Sequence, residues 1–232
     1  MDERESAGMR GLYPFLYAEQ TDMDGVLDEV SRSTVEKAHE IVRLRCTVAE
    51  ACAADVAACA VRMAECFAAG GRLFAFGNGG SSTDALEVAT AFAAPSRGRP
   101  LPAMSLTSDV AVVTALSNDV GFEVVFARQL AAFGRPGDIA FGLSTSGGSA
   151  NVVQAFEEAA RRGMVTVALA GYEGGRLAEL ETLDHLFVIP SSSVHRIQEA
   201  QTTVYHVLWE VTQHALIHMS KAPDGPVATG TR

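Results

Sequence analysis

A chain of 232 residues with 48% apolar and 20% charged residues can bury a core holding roughly 70% of the surface its unfolded form exposes, and its composition is that of a folded domain rather than a disordered one. Lys and Arg number 18 against 28 Asp and Glu, a formal net charge of -10; this argues against a duplex-binding surface, which concentrates positive charge. No stretch offers the ~20 predominantly apolar residues of a membrane-spanning helix, so neither nucleic acid nor membrane is an expected partner.

Residues 1–22 begin with the acidic, polar MDERESAGMR. It lacks the positive flank and apolar core of a secretory signal, and a cytoplasmic protein is expected. The aromatic LYPFLY that follows is expected to pack on the body of the protein or on a partner subunit. From 23 to 70 apolar residues recur at spacings of three and four, which predicts helix, with Gly70 and Gly71 as its stop. Ser31 and Ser33 are the expected division between a short helix and a long one. The many small residues allow close helix contacts, and the length, beyond that of an average globular helix, favours packing against another copy. Cys46, Cys52, Cys59 and Cys66 recur near one face and read as small core residues rather than as a metal or redox set.

The texture then changes. Short apolar runs at 72–77 (RLFAFG), 102–107 (PAMSLT), 139–145 (IAFGLST), 166–171 (TVALAG) and 185–190 (HLFVIP) predict strands. Helical patterns at 83–93, 121–132, 149–162, 176–181 and 195–218 accompany them. Nearly continuous apolar strands separated by helices predict an α/β fold, a three-layer, doubly wound parallel sheet with its ligand crevice beyond the carboxyl ends of the strands. Residues 23–220 read as one domain including the N-terminal helices. The aperiodic KAPDGPVATGTR at 221–232 is expected to be loose.

Two strands run into loops of similar chemistry, FGNGGSSTDA after the first and STSGGSANV after the third. Glycine lets the backbone turn tightly, while hydroxyls and free amides converge on the positive end of the next helix, a seat for a phosphate. No lysine follows the glycines as in a Walker loop, and GNGGSS does not fit the dinucleotide fingerprint, so no nucleotide cofactor is expected. Taken singly, either loop also reads as an ordinary strand-to-helix turn capped by serine. In LSNDVGF, Asn118 and Asp119 precede the helical FEVVFARQL, and Asp119 either caps that helix or reaches a ligand.

Together GNGGSSTDA, SNDVGF, STSGGSANV and HRIQEAQTTVYHVLWE resemble the SIS (sugar isomerase) domain family, in the branch typified by bacterial phosphoheptose isomerase, from about residue 30 to residue 218. The resemblance implies a flavodoxin-like SIS fold, a homotetramer assembled by the N-terminal helix with sites at subunit boundaries, and a phosphorylated sugar as ligand. It implies that Asn78, Gly79, Gly80 and Ser81 contact the sugar phosphate, that Asn118 and Asp119 face the sugar, and that Ser144, Thr145, Ser146 and Ser149 embrace the phosphate. Gln198 and His206 correspond to residues that ligate zinc in the isomerases, His206 also being a candidate for proton transfer. Eight helical positions apart, these two lie about 80° from eclipsed, so both can border one cavity.

The resemblance weakens on the helix after the first glycine loop. Where the isomerase pattern has a zinc-binding His and, four residues later, a Glu that binds metal and acts as base, this chain has Glu87 and Ala91. Alanine does neither job. Aldose-ketose isomerisation needs a base that moves a proton between adjacent carbons through an enediol. Glu87 is left to ligate zinc with Gln198 and His206, to be the base itself opposite His206, or to pair with an arginine at an interface. A Glu-Gln-His shell would be unusual, because an amide is a weak zinc ligand. His195 stands where the isomerases tend to have Asp. Two functions are therefore carried forward: an isomerase of a phosphosugar resembling D-sedoheptulose 7-phosphate, and a noncatalytic phosphosugar sensor or tetrameric protein-binding scaffold. A lyase or etherase would share the phosphate seat but needs an acid beside a different bond.

Overall fold

The computed structural model describes residues 23–221, and the expectations for 1–22 and for the tail beyond 221 lie outside the described residues. Contacts divide the chain into two units between Arg43 and Leu44. Of the first, residues 23–43 are described: they are the beginning of helix α1, Met23–Ala68, and expose Met23, Val26, Leu27 and Val30 at helical spacing. Ser31 and Ser33 do not divide α1. The Ser33 hydroxyl is held by Lys37 one turn on and Thr34 Oγ1 donates to the Val30 carbonyl at 2.7 Å, so these polar side chains are absorbed within a continuous helix.

The second unit begins within α1 and continues as β1 Leu73–Gly77, α2 Gly80–Ala93, β2 Ala103–Ser105, α3 Val110–Asp119, a 3-10 turn Phe122–Val124, α4 Val125–Phe133, β3 Ile139–Ser144, α5 Ala150–Arg161, β4 Val165–Gly171, a second 3-10 turn Gly175–Glu179, β5 His185–Ile189 and α6 Val194–Lys221. The five strands form one parallel sheet in the order β2-β1-β3-β4-β5. Consecutive strands thus step outward in opposite directions from the β1/β3 junction, which is the topological switch point where doubly wound sheets open a crevice.

Both faces are covered, as near-continuous apolar strands require. On one face Phe74, Phe76, Ala140 and Ala168 meet Phe126 and Leu130 of α4 and Phe156 of α5. Phe76 lies between Phe126 and Phe156, with ring centroids 5.5 and 5.2 Å away. α2 packs against α6, and Phe67 at the end of α1 stacks on Phe92 of α2 at 5.5 Å. At the other end of the sheet Asp138 closes the β3 entrance: its carboxylate accepts from the Arg72 backbone at 2.8 Å, the Arg72 guanidinium at 2.6 Å and the Arg135 backbone at 3.0 Å.

Other expectations are corrected, among them the helix at 176–181, which is only the 3-10 turn Gly175–Glu179. The cysteines do not form one core set: Cys59 and Cys66 are buried, whereas Cys52 is half-buried and Cys46 exposed, because positions six and seven apart drift around the helix. The second strand shortens to the three-residue edge strand β2. A helix not anticipated, α3, occupies residues 110–119; its β-branched apolar run disguised it, yet Asp109 caps it, Oδ1 accepting from the Val112 amide at 3.1 Å.

Candidate functional site

The two glycine loops leave the carboxyl ends of β1 and β3, neighbouring strands in which Gly77 stands opposite Leu143. They are joined by a pair of amides. Asn78 Nδ2 donates to Asn151 Oδ1 at 2.8 Å, and Asn151 Nδ2 returns the bond to Asn78 Oδ1 at 2.9 Å. Asn151, in the first turn of α5, is buried. This link spans 73 residues of sequence and fixes the two helix beginnings side by side.

Neither helix is capped by a side chain. α2 starts from Gly79, with φ 54, and α5 from Ser149, whose hydroxyl is 3.2 Å from Ser144 Oγ instead of folding over its own helix. The reading of each loop as a serine-capped turn is therefore overturned. Where α3 shows a cap, α2 and α5 present first-turn amides that no side chain covers, and two helix dipoles point their positive ends the same way. Glycine is required at 147: φ is +62, and a β-carbon there would lie 1.9 Å from the Gly174 carbonyl oxygen. Ser146 is exposed, its Oγ accepting from the Gly148 amide at 3.2 Å.

A cleft of about 590 Å³ adjoins this loop, lined by Ser146, Tyr172, Glu173, Pro190, Ser191 and Ser192. Tyr172 holds φ 53, the left-handed region that few non-glycine residues occupy. Sequence reasoning missed it; the signal available was its place in GYEGG, a third glycine turn directly after a strand.

On the other side of the first loop, α2 and α6 bring a polar cluster together. Gln198 Nε2 donates to Asp84 Oδ2 at 3.2 Å, and it crowds Gly80 so closely that a β-carbon there would lie 2.3 Å from that nitrogen. Burial raises the Asp84 carboxyl above its usual range, opposed by the hydrogen bond from Gln198, and the nearby Glu87 charge adds to the rise. Glu87 Oε1 lies 3.1 Å from His206 Nε2, and Glu87 Oε2 accepts from the Tyr205 hydroxyl at 2.8 Å. Glu87 and His206 have side chains 50% and 48% exposed, which leaves both open to a ligand. Burial pushes the Tyr205 hydroxyl well above its ordinary range. His195 is exposed at the start of α6.

Asn118 and Asp119 are placed differently from the sequence expectation. They lie in the last turn of α3 and bond to each other, Asn118 Nδ2 to Asp119 Oδ1 at 2.7 Å. Asp119 caps no following helix; Gly121 precedes the 3-10 turn.

These residues do not fit a zinc shell. Glu87 and His206 supply two good donors, Gln198 a weak amide that is turned to Asp84, and Ala91 none. Among the described residues no group of three His, Cys, Asp or Glu could hold a metal ion. One carboxylate, one imidazole and an amide fall short of the three good protein ligands of a catalytic zinc.

The SIS domain family model matches residues 38–171 of this parallel α/β fold. The chain belongs to the SIS domain family. It is 40% identical over 196 residues to a phosphoheptose isomerase of Roseiflexus sp. (strain RS-1), covering 84% of this chain and 98% of that protein. Among solved structures it is similar to phosphoheptose isomerase from Neisseria gonorrhoeae (33% identity, 80% of this chain, 99% of that chain, TM-score 0.74) and to one from Francisella tularensis (31%, 84%, 100%, 0.71).

Proposed function

We propose that this protein isomerises a phosphosugar between aldose and ketose forms, with a substrate resembling D-sedoheptulose 7-phosphate. The observation that supports the reading is the Asn78–Asn151 amide pair, which ties together two helix beginnings without an N-cap side-chain bond at the β1/β3 switch of the sheet, where Ser144 and Ser149 bond to each other. A phosphoryl group there would meet hydroxyls, two helix dipoles and first-turn amides, of which those of Ser81, Ser82 and Val152 also donate to the Asn78, Gly79 and Ser149 carbonyls. The names of the relatives agree with this substrate class.

In this reading Ser144, Thr145, Ser146 and Ser149 hold the phosphate, Asn78, Gly79, Gly80 and Ser81 line its other side, Gln198 contacts the sugar, and Asn118 and Asp119 approach the sugar from the end of α3. Glu87 and His206 move the protons. Glu87 takes the carbon-bound proton beside the carbonyl while His206 gives a proton to the carbonyl oxygen, and Glu87 then returns its proton to the former carbonyl carbon of the enediol as the other hydroxyl passes its proton back to His206. No step is routed through zinc, since the donor set does not fit it.

The reading includes a cytoplasmic homotetramer. Its support is apolar surface: an apolar groove between α1 and α6 lined by Val48, Cys52, Val56, Val204, Val207 and Val211, and exposed Met23, Val26, Leu27 and Val30. Among the described residues no helix is long and apolar enough to cross a membrane. A noncatalytic phosphosugar sensor or scaffold is the second reading, favoured by Ala91. Incubation of the purified protein with sedoheptulose 7-phosphate, with and without added zinc, separates them: aldose formation supports the isomerase, and binding without turnover of any five-, six- or seven-carbon phosphate supports the sensor.

A further inference from the structure

We propose that Tyr205 is a positioning residue, whose hydroxyl holds the Glu87 carboxylate beside His206 so that the pair is organised by the protein itself rather than by a metal ion. The inference rests on the isomerase reading of this site.

Glu87 sits on the exposed side of α2 with half its side chain in solvent. A glutamate so placed samples several rotamers, and a base that wanders is rarely in line with its substrate. Here each carboxylate oxygen has its own partner. Oε2 accepts from Tyr205 Oη at 2.8 Å, and Oε1 faces His206 Nε2 at 3.1 Å. The hydroxyl comes from a ring packed in the interior: Tyr205 is 1% exposed, and its hydroxyl also lies 3.3 Å from Thr202 Oγ1. The Tyr205 ring also meets the His206 ring edge-on, with centroids 4.9 Å apart, so one buried side chain touches both members of the pair.

A wholly apolar residue would fill the Tyr205 position as well. A buried phenol carries a desolvation cost unless its hydroxyl is bonded. The hydroxyl's shorter bond is to a charged group, and such bonds are the stronger kind. Each Glu87 oxygen thus has a partner from the protein itself, while Ala91 leaves the set one good donor short of a zinc shell.

The test uses Tyr205→Phe in the full-length protein, which removes one oxygen and keeps the ring. With sedoheptulose 7-phosphate as probe, kcat is expected to fall about ten-fold at unchanged KM, and a crystal structure is expected to find Glu87 turned away from His206. Equilibrium dialysis of the wild type against zinc alone is expected to give well under one ion per subunit. Unchanged kcat, or a Glu87 that stays beside His206 in the variant, overturns the proposal. So does one zinc per subunit that Glu87→Gln abolishes. If Tyr205→Phe fails to fold while the exposed-site variant Glu87→Ala folds normally, the hydroxyl serves the fold and the proposal also fails. Should the wild type turn over no phosphosugar, the isomerase reading falls, while the Glu87 position in the variant still decides the role of Tyr205.

Discussion

Replacing Asn78 by alanine deletes two hydrogen bonds and strands the partner amide of Asn151, which is 3% exposed. Each bond contributes about 1 kcal/mol net, and the orphaned buried amide adds about 1 kcal/mol or more, so Asn78→Ala should cost about 3 kcal/mol. Asn151→Ala loses the same two bonds but leaves Asn78, which is half-buried and can turn to water, so about 2 kcal/mol is expected. With both amides gone nothing is stranded, and the double variant should cost no more than the worse single one, a coupling of about 2 kcal/mol. Urea unfolding followed by fluorescence of the single tryptophan, at one fixed protein concentration because assembly shifts apparent stability, measures all four corners of the cycle. If the two single costs simply add, within about 0.5 kcal/mol, the amides do not bind each other, and the reasoning that joins the two glycine loops is refuted.

Three further outcomes are expected. In Gly80→Ala the new β-carbon would lie 2.3 Å from Gln198 Nε2, the end of a flexible side chain; stability should fall by about 1 kcal/mol or less, while calorimetry should find phosphosugar affinity reduced, and an unchanged affinity would remove Gln198 from the site. Burial alone would raise the Glu158 carboxyl, but hydrogen bonds and charge from Arg162 and Arg161 outweigh it and hold it below its ordinary range. Its contribution is therefore present above the unfolded value of about 4.3 and lost as pH falls through the lower folded value; the stability difference between wild type and Glu158→Gln should be full at about pH 6 and shrink as pH falls below the unfolded value, and parallel pH profiles would contradict this. Gln201 is fully buried with neither amide atom hydrogen-bonded; Gln201→Met should stabilise the protein by about 1 kcal/mol, and a large loss of melting temperature instead would reveal a partner for the amide.

Local patterns were legible in the sequence and long-range pairings were not. Five apolar runs gave the five strands, and glycines after the first and third marked the loops, because both signals reside in a few adjacent residues. α3 was hidden because VAVVT suits a strand as well as a helix, and only its Asp109 cap identifies its start. Ser31 and Ser33 look like a break in composition, yet bonds within the helix absorb such polar groups. Ser149 has the composition of a cap, and only the approach of Ser144 reveals that its hydroxyl is turned elsewhere. Glu87 and Tyr205 are 118 positions apart, and a tyrosine at a buried helical position reads as core until the fold brings a carboxylate to its hydroxyl.

Titrating sedoheptulose 7-phosphate and, separately, unphosphorylated sedoheptulose into the wild type and into Ser144→Ala/Ser149→Ala tests the anion seat most directly. The expected result is saturable, phosphate-dependent binding by the wild type that weakens at least about ten-fold in the double variant, the loss of about 1.4 kcal/mol. Equal affinity for both sugars, or full affinity in the double variant, would contradict it.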